Sequence, residues 1–265
     1  MRKLITLLFS FVCLSLSTAS ANPNVADIGK VTIDMKNKAS LQQGAQLFMD
    51  YCLGCHSVEF QRYNVTARDI GIELDDLKKN YMHVGSYDVR EDEFNLAKEG
   101  DLIYTAMSRV DGGNWLGTAP PDLSTIVRAK GADYIYRYLM SFYVDETRPV
   151  GVNNVAFEGA GMPHVLAELQ GIYAPVMETV KADPKCKGDD CETLSVVVGT
   201  QKIKDGLLTE EEYKVAVNDI TNFLAYVSEP AQLLRAKYGP WVIGFLIIFT
   251  LLAYALNREY WKDVK

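Results

Sequence analysis

Cys52-Leu53-Gly54-Cys55-His56 decides how the rest of the chain is read. The Cys-x-x-Cys-His spacing suits covalent haem attachment. Two thiols about one helical turn apart add to the two vinyl groups, and the adjacent imidazole faces the iron. Three other chemistries share the Cys-x-x-Cys core. A zinc site needs a second pair of Cys or His ligands at matching spacing. A thioredoxin-like redox pair needs a βαβ setting, whereas here the pair closes a helix pattern. A structural disulfide is the simplest of the three. The chain holds five cysteines and three histidines, so a histidine inside a motif carries much of the available ligand chemistry.

Upstream of the motif, Leu41, Ala45, Phe48, Met49 and Cys52 recur at helical spacing, with Ser40 placed to cap the helix. The pattern Gly44-x-x-x-Phe48-x-x-x-Cys52 resembles the first helix of many c-type cytochromes. A haem iron that only carries electrons wants a second axial ligand, Met or His. The candidates are His83, His164, Met35, Met49, Met82, Met107, Met140, Met162 and Met177. Met162 is the strongest, because it stands between Gly161 and Pro163 in a loop that can approach a flat macrocycle. Met49 is too near Cys52 to reach the far face, Met107 and Met140 fall in helix patterns as core filler, and His83 reads as a surface histidine.

The two ends of the chain are apolar. Met1 to Ala21 has a basic start, a short apolar run and an Ala-x-Ala site, the pattern of a cleaved signal peptide spanning 1–21. Cys13 lies in it without a lipobox. Cleavage removes Arg2 and Lys3, so basic residues fall from 27 to 25 against 34 acidic ones. From Tyr238 to Leu256 no charge interrupts the chain. At ~1.5 Å per residue such a run crosses the hydrocarbon core. Residues 238–256 are read as a single transmembrane helix, with 22–229 as an exported, periplasmic domain and 257–265 as a cytoplasmic tail. Mean hydropathy near zero excludes a polytopic transporter, and the net charge of -7 excludes a nucleic-acid binder working through a basic surface.

The body reads as mostly helical. Asp133 to Tyr143 is one helix candidate, and Thr209 with Glu212 forms a capping-box pattern opening another that ends before Pro230. Gly112 to Pro121 and Gly151 to Pro163 read as loops, and alternating strand-like runs are scarce.

The order CLGCHSVEFQRY, GTAPPDLSTIVRAKGADYIYRYL, NNVAFEGAGMPHVL and DITNFLAYVSEPAQLLRAKYG, ahead of a terminal apolar run ending in REYWKDVK, resembles the cytochrome c1 family. That family supplies the haem subunit of quinol–cytochrome c oxidoreductase, the bc1 complex, and the match suits its bacterial, single-anchor form. The resemblance implies a mainly α fold: a c-type cytochrome domain with long loop insertions plus one C-terminal transmembrane helix. It implies one covalent haem c, with Cys52 and Cys55 as thioether residues and His56 and Met162 as iron ligands. It puts Pro120 and Pro121 in the haem pocket, and Arg128 and Tyr134, with Lys130 as a further candidate, near the propionates. A partly buried propionate needs such a cation or hydroxyl. It implies cytochrome b and a Rieske iron–sulfur protein as partners, and a soluble or tethered cytochrome c as electron acceptor. The chain itself would carry electrons in the respiratory chain of the inner membrane, with no bond-making chemistry. Two alternatives stand beside this: a membrane-anchored c-type cytochrome of another complex, and an exported thiol–disulfide oxidoreductase.

Cys186 and Cys191 are expected to pair in an exported protein, with two free thiols or a metal site as the alternatives. Acidic clusters at Glu73 to Asp76, Asp88 to Glu93 and Asp189 to Glu192 would steer a basic partner, an effect weakened by salt.

Overall fold

The computed structural model describes residues 30–88, 93–181 and 193–263. The signal segment 1–21 and Cys186 with Cys191 lie outside them.

The core is built on one helix crossing. Helix α1 (Lys38–Tyr51) buries Leu41, Gly44, Ala45, Phe48 and Met49 along one stripe. It lies across α8 (Glu210–Ser228), which buries Val217, Ile220, Phe223, Leu224 and Val227. Gly44 sits at the contact. A Cβ there would come within 2.0 Å of the Asp219 carbonyl oxygen, so only glycine lets the two backbones meet. Phe48 and Phe223 pack beside it with ring centroids 5.7 Å apart. The α1 cap differs from expectation. Asn37 accepts the Ser40 N–H at 3.2 Å, while Ser40 is buried and its hydroxyl donates to Asp219 at 2.5 Å. Ser40 is consumed by the helix crossing rather than by the helix end. The capping box at α8 is present in both directions, and α8 stops before Pro230.

Strands are more abundant than the alternation in the sequence suggests. Among the described residues there are four two-stranded antiparallel sheets. Strand β1 (Val58–Arg62) pairs with β4 (Leu102–Ile103), and β2 (Gly85–Asp88) with β3 (Glu93–Leu96). Strand β5 (Phe142–Val144) pairs with β6 (Val152–Asn154), and β7 (Gly171–Lys181) with β8 (Thr193–Asp205). Most are too short to show a period of two. The β7–β8 hairpin is long, but β8 has an unbroken half-buried middle and exposed ends, so no single face alternates. The expected helix from Asp133 to Tyr143 splits accordingly. Helix α6 (Ala132–Met140) ends at Ser141, and Phe142 and Tyr143 enter β5. The expected loop from Gly112 to Pro121 begins inside α4 (Arg109–Leu116), which closes on Gly117 at φ +76. Met107 lies just outside it, not in a helix. The mainly α expectation therefore holds in outline only.

Short helices α2 (Tyr63–Ile70), α3 (Leu74–Asn80), α5 (Ile126–Lys130) and α7 (Ala167–Gln170) fill in around this frame. Helix α9 (Gln232–Tyr260) contains an 18-residue stretch with a mean hydropathy of 2.0, none of it buried within the chain. It starts before the apolar run and carries Pro240 inside it. At its foot, the Arg235 guanidinium pairs with the Glu229 carboxylate.

Candidate haem site

Cys52 caps the C-terminus of α1, and its N–H and that of Leu53 both reach the Phe48 carbonyl at 2.9 Å. The next turn is equally tight: the N–H groups of Cys55 and His56 bond the Cys52 carbonyl at 3.0 and 2.8 Å. Both thiols and the imidazole thereby line one cavity of about 310 Å³. The His56 Nδ1 lies 2.7 Å from the Pro121 carbonyl oxygen. With the proton held there, Nε2 keeps a free lone pair. Burial pushes the His56 pKa down, opposed by the Pro121 bond and Asp122, so the ring is neutral at pH 7.

Met162, Gly161 and Ala160 line the same cavity, as do Pro120, Tyr134 and Lys130. Arg128 does not. Residues 128 and 130 are two positions apart on α5, about 200° around the helix axis, so they cannot share a face. The cation beside Tyr134 is Lys130, whose Nζ sits 5.8 Å from the Tyr134 ring centroid. Ile220 and Leu224 close the cavity from α8, and Tyr138 and Leu139 from α6. The two pairs were visible in sequence only as helix-face residues, since nothing local says what a helix face packs against.

The remaining ligand candidates lie elsewhere. His83 is exposed, with Nε2 2.9 Å from the Asn80 carbonyl. His164 stacks on Phe142, centroids 4.7 Å apart at 6°, and does not line the cavity. Its burial holds the pKa down to about 4, so it is neutral. Met35, Met49 and Met82 are core residues, and Met177 is exposed on β7.

The donor set discriminates among the chemistries of the motif. Cys52 and Cys55 are not bonded to each other. Burial pushes the Cys52 thiol up to about 12 and raises Cys55 as well, opposite to what a redox-active thiol pair requires. Among the described residues no group of three or more His, Cys, Asp or Glu is placed to hold a metal. Two thiols, an imidazole with a free Nε2, a thioether and a mostly apolar cavity with one ammonium and the three phenols of Tyr51, Tyr134 and Tyr138 at its lining fit a covalent haem.

This crossing of first and last helices over a Cys-x-x-Cys-His turn, on a domain followed by one long apolar helix, defines an anchored c-type cytochrome. The family model of the Cytochrome C1 family matches residues 30–264, and the chain belongs to that family. It is 43% identical to cytochrome c1 of Allochromatium vinosum over the whole of both chains. It is 36% identical to a protein of Nitrosomonas europaea named ammonia monooxygenase gamma subunit, over 99% of each chain. The mitochondrial cytochrome c1 haem protein of Schizosaccharomyces pombe is 27% identical over 86% of this chain and 68% of that one. The chain is thus an electron-transfer protein with one covalently bound haem c, of the family that forms the haem subunit of the bc1 complex.

Proposed function

We propose that the chain relays single electrons from a Rieske iron–sulfur protein to a soluble or tethered cytochrome c, held beside cytochrome b by α9. The observation that carries this reading is that His56 and Met162, from distant parts of the chain, line one cavity with both motif thiols. Cys52 and Cys55 would hold the haem through thioether bonds, and His56 Nε2 and the Met162 thioether would ligate its iron. When bound, the haem supplies the one-electron ferric–ferrous couple, and a thioether ligand raises its potential relative to two histidines. The protein's part is to fix and shield. The Pro121 carbonyl fixes the His56 ring and its tautomer. Tyr138, Leu139, Ile220 and Leu224 keep water from the cavity. Lys130 and Tyr134 offer an ammonium and a hydroxyl to the propionates. No lining residue has to give or take a proton.

The domain 22–229 works on the periplasmic side after loss of 1–21, with 257–265 in the cytoplasm. Of the acidic clusters, Glu73 to Asp76 lies fully among the described residues, at the start of α3, and supports an acidic docking face.

Met162→Leu in the purified membrane complex tests the ligand set. The near-infrared thioether–iron absorption should vanish, the potential should fall, and the ferrous form should bind carbon monoxide. An unchanged band excludes Met162. The name of the Nitrosomonas relative favours a second reading, service in another membrane complex. Co-purification with cytochrome b and a Rieske protein supports the first reading, and their absence the second.

A further inference from the structure

We propose that Asn154, with Asn153 beside it, is the positioning residue that places Met162. The inference rests on Met162 being the sixth ligand. From Ala156 to Met162 the chain has no helix or strand, only a turn at Glu158–Gly159, and among the described residues no backbone–backbone hydrogen bond ties it to a neighbouring element. Backbone donors turned toward the protein must still be satisfied. Side-chain amides satisfy them here. Asn154 Oδ1 accepts the N–H of Ala156 at 2.9 Å and of Phe157 at 3.2 Å. It also accepts the Ser141 hydroxyl at 3.0 Å, while Nδ2 donates to the Tyr138 carbonyl at 2.7 Å. Asn153 Oδ1 accepts the Gly159 N–H at 2.8 Å, and its Nδ2 donates to Asp145 at 3.0 Å. Gly159 turns at φ +78, and its carbonyl accepts from Arg148 at 3.0 Å.

Asn154 is 1% exposed and Asn153 6%, so their amide oxygens are shielded, while the backbone donors they hold are part-buried. The frame runs directly into the site. Phe157, Ala160 and Gly161 line the cavity beside Met162, and Tyr138, the acceptor of Asn154 Nδ2, lines it from α6. Asn154 therefore ties the segment bearing Met162 to the helix that forms another wall of the same cavity. It touches no cofactor position itself and acts through Met162.

A purely structural asparagine would lower the melting temperature and leave ligation intact below it. A positioning residue changes ligation in folded protein. The test is Asn154→Ala and Asn154→Asp in the intact, purified membrane complex, with Met162→Leu alongside. The readouts are covalent haem content by pyridine haemochrome, the near-infrared thioether–iron band, and carbon monoxide binding, all well below melting. Haem content should match the parent, since the Cys52–Cys55 turn is untouched. Asn154→Ala should lose most of the band, with the carbon monoxide-binding fraction rising roughly 3–10-fold per hydrogen bond lost. Asn154→Asp replaces the donor to the Tyr138 carbonyl with a buried carboxylate oxygen, so it should lose the band at least as far as Ala. The positioning role is overturned if both variants keep the parental band, or if neither accumulates with covalent haem. If the band survives Met162→Leu, the sixth-ligand reading itself fails. If it is lost in Met162→Leu and kept in Asn154→Ala, only the positioning inference fails.

Discussion

His56 reaches the cavity on five consecutive residues directly after α1, whereas Met162 reaches it on a stretch without secondary structure of its own. The histidine arm leans on the α1–α8 contact, where apolar side chains and two backbones meet. The methionine arm leans on buried amides, Asn153 and Asn154, that stand in for missing backbone partners. Apolar packing is many small contacts, and its loss is felt by the whole fold. An amide frame is a few directional bonds, and its loss is felt where those bonds end. The two arms should therefore fail differently: the first as loss of folded protein, the second as loss of ligation.

The harshest test of that contrast is Gly44→Ala. The added Cβ meets a carbonyl oxygen that cannot move without moving α8. Overpacking of this kind costs about 3 kcal/mol. The mutant should yield little stable holoprotein, measured as haem content and thermal midpoint. Normal yield with an altered thioether–iron band would break the comparison. A milder test lies at the cavity lining between the arms. Lys130→Gln removes a cation facing the cavity and should lower the reduction potential by about 50 mV, near 1 kcal/mol of interaction energy. Arg128→Gln should leave the potential unchanged. The reverse result would return the propionate role to Arg128. The smallest expected effect is at Asp219, buried under Ser40 at the helix crossing. Burial raises its pKa, so the folded state holds this proton more tightly than the unfolded chain. Its contribution is full below the usual carboxylate range and is lost as pH rises through the folded pKa. Asp219→Asn, which keeps the acceptor for Ser40, should raise the thermal midpoint slightly at pH 7 and leave it unchanged near pH 3. A drop at pH 7 would show that the charge itself is needed.

Much of the histidine arm was legible because its information is local. The motif, the α1 stripe and the capping box at Thr209 each fit within a few helical turns. The methionine arm was legible only at Met162 itself, through its Gly and Pro neighbours and the family resemblance. Asn153 and Asn154 read as loop residues, because what an amide bonds to depends on where β5, β6 and α6 come together. Arg128 and Lys130 were separable only by helix phase, which a five-residue helix does not announce. Ser40 looked like a cap because it has the right chemistry at the right place, and the Asp219 carboxylate claimed it first.

The α1–α8 crossing also imposes an order on maturation. Among the described residues its halves are the first helix and the last one before α9, so the contact forms only after nearly all of the chain ahead of α9 has been made and a long loop closed. Until α8 arrives, Ile220 and Leu224 do not wall the cavity. Once it has docked, Cys52 is 7% exposed, and burial pushes its thiol pKa up to about 12. The cavity lined by both motif thiols is therefore complete only once α8 has packed on α1.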